Sequence, residues 1–212
     1  MLQVRPYARG VSRLLGVAAV LASASLLLAA AAPAHFDTAG RFTHVACPGS
    51  PATRSDPVNV VFHDWGTWGR AESQLVAHTG WAASSGTTQH FLDHGGCFPQ
   101  HTQRASGEGS RFHVRIRGQH WDGGLGWAAA AAAHHEDLVL FPFPCGHAVD
   151  ANGAEGSGFD QGRDELEARF RDAGHETSRA WWGNTQSLRQ CDGDYAASDG
   201  WTLLVRLHQV NH

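Results

Sequence analysis

Arg111-Phe112-His113-Val114-Arg115-Ile116-Arg117 alternates without a break. Phe112, Val114 and Ile116 fall on one side, and Arg111, His113, Arg115 and Arg117 on the other. Successive side chains of a strand point to opposite faces. The stretch therefore reads as a strand with one face in a core and the other carrying guanidiniums and an imidazole. Two readings of that polar face compete. Half-buried antiparallel strands alternate in this way simply because one face meets water. The other reading places a working site there and brings a His/Asp-rich segment, residues 134 to 163, up to it.

Outward from this strand, the clearest elements are helices. Thr67 suits an N-cap, Trp68 to Thr79 has apolar residues at helical spacing, and Gly80 suits the position just past a helix end. Phe159-Asp160 opens a second helix, with Asp160 as its cap, Leu166, Phe170 and Ala173 as its apolar stripe, and Gly174 as its stop. Val58 to Phe62 reads as a buried strand, and Trp201 to Leu207 as a closing one. Leu125 to Glu136 contains six consecutive alanines, which favour helix by propensity. It lacks a polar face, however, so it reads as a buried strand whose small side chains let a helix or loop approach closely; a helix is the alternative. The expected fold is α+β: a mixed, largely antiparallel sheet of about five to seven strands with two main helices packed on one face.

The amino terminus reads as an export signal. Arg5, Arg9 and Arg13 precede an apolar, Ala/Leu-rich run, and Ala32-Pro33-Ala34 has the small-residue pattern of a cleavage site. The expected division is 1–34 signal peptide, 35–55 N-terminal arm and 56–212 a single domain, secreted or extracytoplasmic, with no membrane span after cleavage. The formal charge of −4 becomes more negative once those arginines leave. An acidic protein argues against general nucleic-acid binding. Cys47, Cys97, Cys145 and Cys191 form no CxxC pair. In an exported chain they point to two disulfides, with three pairings open.

All fifteen histidines lie beyond residue 34. His113, His134, His147 and Asp150 are enough in number to hold a divalent metal. On a strand His134 and His135 face opposite ways, so at most one of them joins His113. Without metal, His113 or His147 oriented by Asp150 could do acid–base work, while Arg111, Arg115 and Arg163 hold an anionic group. Plainer readings stand beside these: hydrogen-bonded histidines near a helix cap, and an ion pair of Arg163 with Asp160 or Asp164. Ser110 sits near glycines but not in a G-x-S-x-G elbow. The eight tryptophans could offer a platform for carbohydrate.

Asp56-Pro57-Val58-Asn59, then Arg111-x-His113-x-Arg115, then His147-Ala148-Val149-Asp150 with Asp160-x-x-Arg163, make an order of motifs that resembles the LssY C-terminal domain family. Asp56-Pro57-Val58-Asn59 matches its DPxN start, Arg111-x-His113-x-Arg115 its R-x-H-x-R strand, and His147-Ala148-Val149-Asp150 with Asp160-x-x-Arg163 its later His-rich segment. Gly146 stands where the family has a second histidine, and Gly162 where it has a glutamate. The resemblance marks Arg111, His113, Arg115, His147, Asp150, Asp160 and Arg163. It implies an envelope protein with a faint association to phosphoesters. The function expected is a hydrolase-like site made by His113, His147 and Asp150 for a small anionic envelope ligand. The alternative is a non-catalytic extracytoplasmic binding module.

Overall fold

The computed structural model describes residues 42–44, 54–64, 68–86, 88–93, 96–120, 127–139, 146–151, 156–185, 187–190 and 194–207. The chain divides into two units, Met1–Ala34 and His35–His212, and every described residue belongs to the second. The expected signal peptide and cleavage site lie outside the described residues.

The described elements run β1 (Phe42–His44), β2 (Arg54–Pro57), β3 (Val60–Asp64), α1 (Trp68–Thr79), β4 (Ala82–Ala83), β5 (His90–Asp93), β6 (Gly96–Pro99), β7 (Thr102–Ala105) and β8 (Arg111–His120). They continue with β9 (Trp127–Val139), β10 (Gly146–Val149), α2 (Gly158–Asp172), β11 (Glu176–Asn184), β12 (Leu188–Arg189), β13 (Tyr195–Ala196) and β14 (Gly200–Arg206). The main sheet has eight strands in the order β11-β14-β3-β9-β8-β7-β4, with β10 continuing along β9. Its β14–β3 pair is parallel, and its other pairs are antiparallel. Among the described residues the fold is thus mixed, with a largely antiparallel sheet and two helices, and strands dominate it.

A second sheet, β2-β1-β5-β6, was not expected as a separate sheet, although short strands at residues 87–92 and 98–104 are readable from the sequence and overlap β5 and β6. Its strands are three or four residues long, too short to show a hydrophobic period. Phe42–His44 and Arg54–Ser55, placed in the N-terminal arm from sequence, belong to this sheet. It lies over the polar face of β8: Asp56 of β2 pairs with Arg115, and Arg117 donates to the Pro99 carbonyl and stacks over Phe98 of β6. Cys97 of β6 is disulfide-bonded. The expected partners Cys47, Cys145 and Cys191 lie outside the described residues.

β9 is the centre of the molecule. It pairs with β8 over ten consecutive positions, from Arg111↔Glu136 to His120↔Trp127, and with β3 on its other side. Ala129 to Ala133 are all buried. A strand covered on both faces needs no polar alternation, and burial here overrides alanine's helix propensity. On one face Ala129, Ala131 and Ala133 join Val60, Phe62, Val114, Ile116, Leu203 and Val205 with Ala71 and Leu75 of α1 and Leu166 and Phe170 of α2. Both helices therefore enter one core. Phe112 completes it by stacking on Trp81, with ring centroids 6.0 Å apart.

Helix α1 ends as its sequence predicts, with Gly80 at φ +67° and its N–H on the Val76 carbonyl. Helix α2 begins earlier than expected. Ser157 is its N-cap, and Asp160 stands three residues in, where its carboxylate accepts the Ser157 N–H at 3.3 Å. The earlier start puts Gly158 and Gly162 against β9. A Cβ on Gly162 would sit 2.4 Å from both the nitrogen and Cα of His134, and one on Gly158 would sit 2.3 Å from the His135 carbonyl oxygen. Backbone cannot move aside as a side-chain tip can, so Gly162→Ala is expected to destabilise the fold by about 3 kcal/mol, the upper end for overpacking. Gly107→Ala, with nothing within 4 Å, is the control. Urea unfolding of the two variants checks this; equal midpoints would show that α2 does not lie this close to β9.

Candidate functional site

His134-His135-Glu136-Asp137 lies on β9, and the strand's period of two deals these side chains to opposite faces. His134 and Glu136 go with Arg111, His113 and Arg115, under the second sheet. His135 and Asp137 go to the helix side. Two separate clusters result.

In the first, His113 Nδ1 lies 3.2 Å from His134 Nε2, and His134 Nε2 lies 2.9 Å from Glu136 Oε2. These three residues are almost wholly buried. Their neighbours balance the charge. Arg111 donates to Glu136 Oε1 at 2.7 Å, and Arg115 donates to Asp56 Oδ2 at 2.5 Å. Burial, with His134 and Arg115 adding to it, pushes the His113 imidazole down from 6.5 to about 2. His113 is thus neutral at ordinary pH and is no proton donor. Burial alone would raise Glu136, but its hydrogen bonds with His134, the larger of the two effects, and with Arg111 outweigh it. They hold the carboxyl well below its ordinary range.

In the second cluster, His135 Nδ1 lies 2.6 Å from Asp150 Oδ2, and His135 Nε2 lies 3.2 Å from Ser110 Oγ. This network assigns the proton to Nδ1, which donates to the carboxylate, and leaves the Nε2 lone pair to accept from the serine hydroxyl. The parts are fixed from several sides. The Asp150 N–H donates to the His135 carbonyl at 3.2 Å, and the Gly158 N–H at the start of α2 donates to the Asp150 carbonyl at 3.0 Å. Phe112 sets its ring edge against the imidazole, with centroids 4.8 Å apart. Ser110 is exposed, whereas the His135 and Asp150 side chains are 18% and 21% accessible.

The residues singled out from sequence divide between these clusters. His113, His134, Arg111 and Arg115 share the first, with Glu136 where the sequence reading placed His147 and Asp150. Asp150 belongs to the second, beside His135. His147 lies between them: its Nδ1 is 3.4 Å from an Arg111 guanidinium nitrogen, and its Nε2 is 3.0 Å from the Glu108 carbonyl. Arg111 also reaches the Gly107 carbonyl at 3.4 Å. Both side chains therefore tie down the loop that carries Ser110. Arg163 is elsewhere, fully buried in α2 and bound to Asp160, Asp164, Asp199 and the Trp201 carbonyl. Asp199 and Asp164 raise its pKa against the opposing effect of burial. Sequence reasoning set Ser110 aside for want of a motif and missed Glu136. The pairing of Ser110 depends on β8–β9 register, which no local motif records.

No family model, curated protein or solved structure matches the chain.

The first cluster makes stability depend on pH. Between about 2 and its ordinary value of 6.5, His113 takes up a proton in the unfolded chain but not in the folded one. Stability is therefore lost as pH falls below about 6.5. His63, held down by burial and Arg206, and His101, held down by burial and Arg117, act in the same direction. In chelator-treated protein, Tm is expected to fall between pH 7 and 5, with His113 contributing at most about 1.4 kcal/mol per pH unit. His113→Asn should flatten that slope; an unchanged slope would show that His113 titrates normally.

Proposed function

We propose that the protein is an extracytoplasmic hydrolase of carboxylic esters, with Ser110 as nucleophile, His135 as general base and Asp150 as the carboxylate that orients it. The observation that carries this is the unbroken chain Ser110 Oγ–His135 Nε2, His135 Nδ1–Asp150 Oδ2, at 3.2 and 2.6 Å. Serine, imidazole and carboxylate in these roles are recognised by geometry and not by position in the chain. As Ser110 Oγ attacks the ester carbonyl carbon, its proton passes to His135 Nε2. The C–O bond of the tetrahedral adduct breaks, and the departing alkoxide leaves as an alcohol with that proton. Water then attacks the acyl-serine, again losing its proton to His135, and releases the acid and restores Ser110. His147 and Arg111 are positioning residues that hold the 107–110 loop.

A phosphoester is favoured less. Arg111 and Arg115, the cations nearest the site in sequence, each serve a buried carboxylate. Exposed Glu108 and Asp137 flank the serine and would repel an anion. The binding-module reading keeps one specific support. Trp181 and Trp201 are cross-strand partners on β11 and β14, both exposed, with rings 5.6 Å apart.

A fluorophosphonate probe and p-nitrophenyl acetate test the proposal. The probe should label Ser110 alone, and Ser110→Ala should lose both label and turnover while unfolding at the wild-type midpoint. Asp150→Asn should slow turnover about 10³-fold or more, because it favours the wrong imidazole tautomer. A folded protein that takes no label at Ser110 would overturn the assignment. Turnover of p-nitrophenyl phosphate that is lost in Arg111→Ala would restore the phosphoester reading.

The extracytoplasmic location rests on the amino-terminal sequence and the cysteines. Exported material should have a non-reduced mass that begins near His35 and is four hydrogens lighter than the thiol form; four free thiols would refute it.

A further inference from the structure

We propose that His113, His134 and Glu136 form a binding site for one divalent transition metal ion of the zinc type, on the face of β9 opposite Ser110 and independent of the ester-hydrolase reading. The ligating atoms of these three buried residues lie within 4.8 Å of one another. Two of their separations, 3.2 Å for His113 Nδ1 to His134 Nε2 and 2.9 Å for His134 Nε2 to Glu136 Oε2, are close to the edge of a tetrahedron around zinc, about 3.3 Å for bonds near 2.05 Å.

The hydrogen-bond inventory points the same way. His134 Nε2 faces His113 Nδ1 and Glu136 Oε2 at once, and a single N–H or a single lone pair cannot serve both well. If His134 carries its proton on Nε2, then its buried Nδ1 presents a lone pair toward Asp56 Oδ2, 3.6 Å away. If the proton is on Nδ1, two lone pairs oppose each other at 2.9 Å. His134 Nδ1 is buried without a hydrogen-bond partner, an arrangement that native proteins seldom leave unexplained. A cation among the three atoms accepts a lone pair from each ligand and frees the His134 Nδ1–H for Asp56.

That would give the outer shell that metal-bound histidines usually have, an imidazole N–H on a carboxylate. Asp56 would orient His134, and Arg111 holds the other oxygen of Glu136. With Arg111 matched by Glu136 and Arg115 by Asp56, the neighbouring guanidiniums are neutralised locally. Two imidazoles and a carboxylate suit zinc and leave a fourth position for water. The ion would clamp β8 to β9 and, through Asp56, draw β2 onto both.

Chelator-treated full chain titrated with Zn(II) alone tests this by calorimetry, with metal content measured after desalting. The expected result is one retained equivalent and a Tm several degrees higher, with Co(II) giving the visible bands of a four-coordinate site. His113→Ala and Glu136→Gln should each weaken retention at least tenfold, while the distant His101→Ala keeps it, which separates the site from the other histidines. Glu136→Gln preserves shape if His113→Ala fails to fold. No retained metal in folded wild type, or retention undiminished in Glu136→Gln, overturns the proposal.

Discussion

The structure depends on how closely a helix can approach a strand. Side chains of one carbon at Ala129, Ala131 and Ala133, and of none at Gly158 and Gly162, bring the backbone of α2 onto the backbone of β9. Larger residues would hold the two apart by the width of a side chain and lose the dispersion contacts that close packing gives. Once α2 is seated, its first turn meets the end of β10, where the Gly158 N–H takes the Asp150 carbonyl. Asn59, between β2 and β3, fastens the same junction. Its side chain donates to the Ala133 and Phe159 carbonyls and accepts the Ala133 N–H, all at 2.8 Å. The position of Asp150 beside His135 follows from this packing.

Electrostatics explains why the polar face of β8 differs from an ordinary wet face. The second sheet covers it, and a buried guanidinium needs a partner. Arg111 and Arg115 have Glu136 and Asp56, and Arg163 on the helix side has three carboxylates. These arginines organise structure; Glu136, Asp56 and Asp199 reach them from remote parts of the chain, while Asp160 and Asp164 are neighbours of Arg163 on α2. The motif residues Asp56 and Asn59 have structural tasks, one closing an ion pair and the other closing a backbone gap.

The sequence made the large regular elements legible. Strand β8 showed itself by its period of two, α1 by its spacing and terminal glycine, and β9 by the lack of any polar face in an alanine run. The opposite facing of His134 and His135 followed from strand geometry alone. Of the second sheet only the neighbourhood of β5 and β6 was legible, as strands near residues 87–92 and 98–104 about a turn; β1 and β2 are three or four residues long, and β1 finds β5 far along the chain, which leaves no local pattern. The partner of Asp150 was not legible either. His147 lies three residues away in sequence, but β10 pairs antiparallel with β9 and sets Asp150 beside His135 instead. Ser110 carries no motif at all; only the register of β8 against β9 brings it to an imidazole.

That register ties the two clusters together. Shifting β9 by one residue against β8 would send His134 and Glu136 to the helix side and His135 and Asp137 under the second sheet, since every side chain changes face. The alanine run cannot prevent such a slip by shape, because its residues are identical. The discrimination must come from the polar end of the strand, where Arg111 meets Glu136 and His113 meets His134. In a slipped pairing each of these groups would be buried without its partner, at a cost of several kcal/mol per charge. The buried cluster thus selects the register that puts Ser110 within reach of His135, and an ion bound there would strengthen the same selection. One face of β9 fixes the alignment, and the other face uses it.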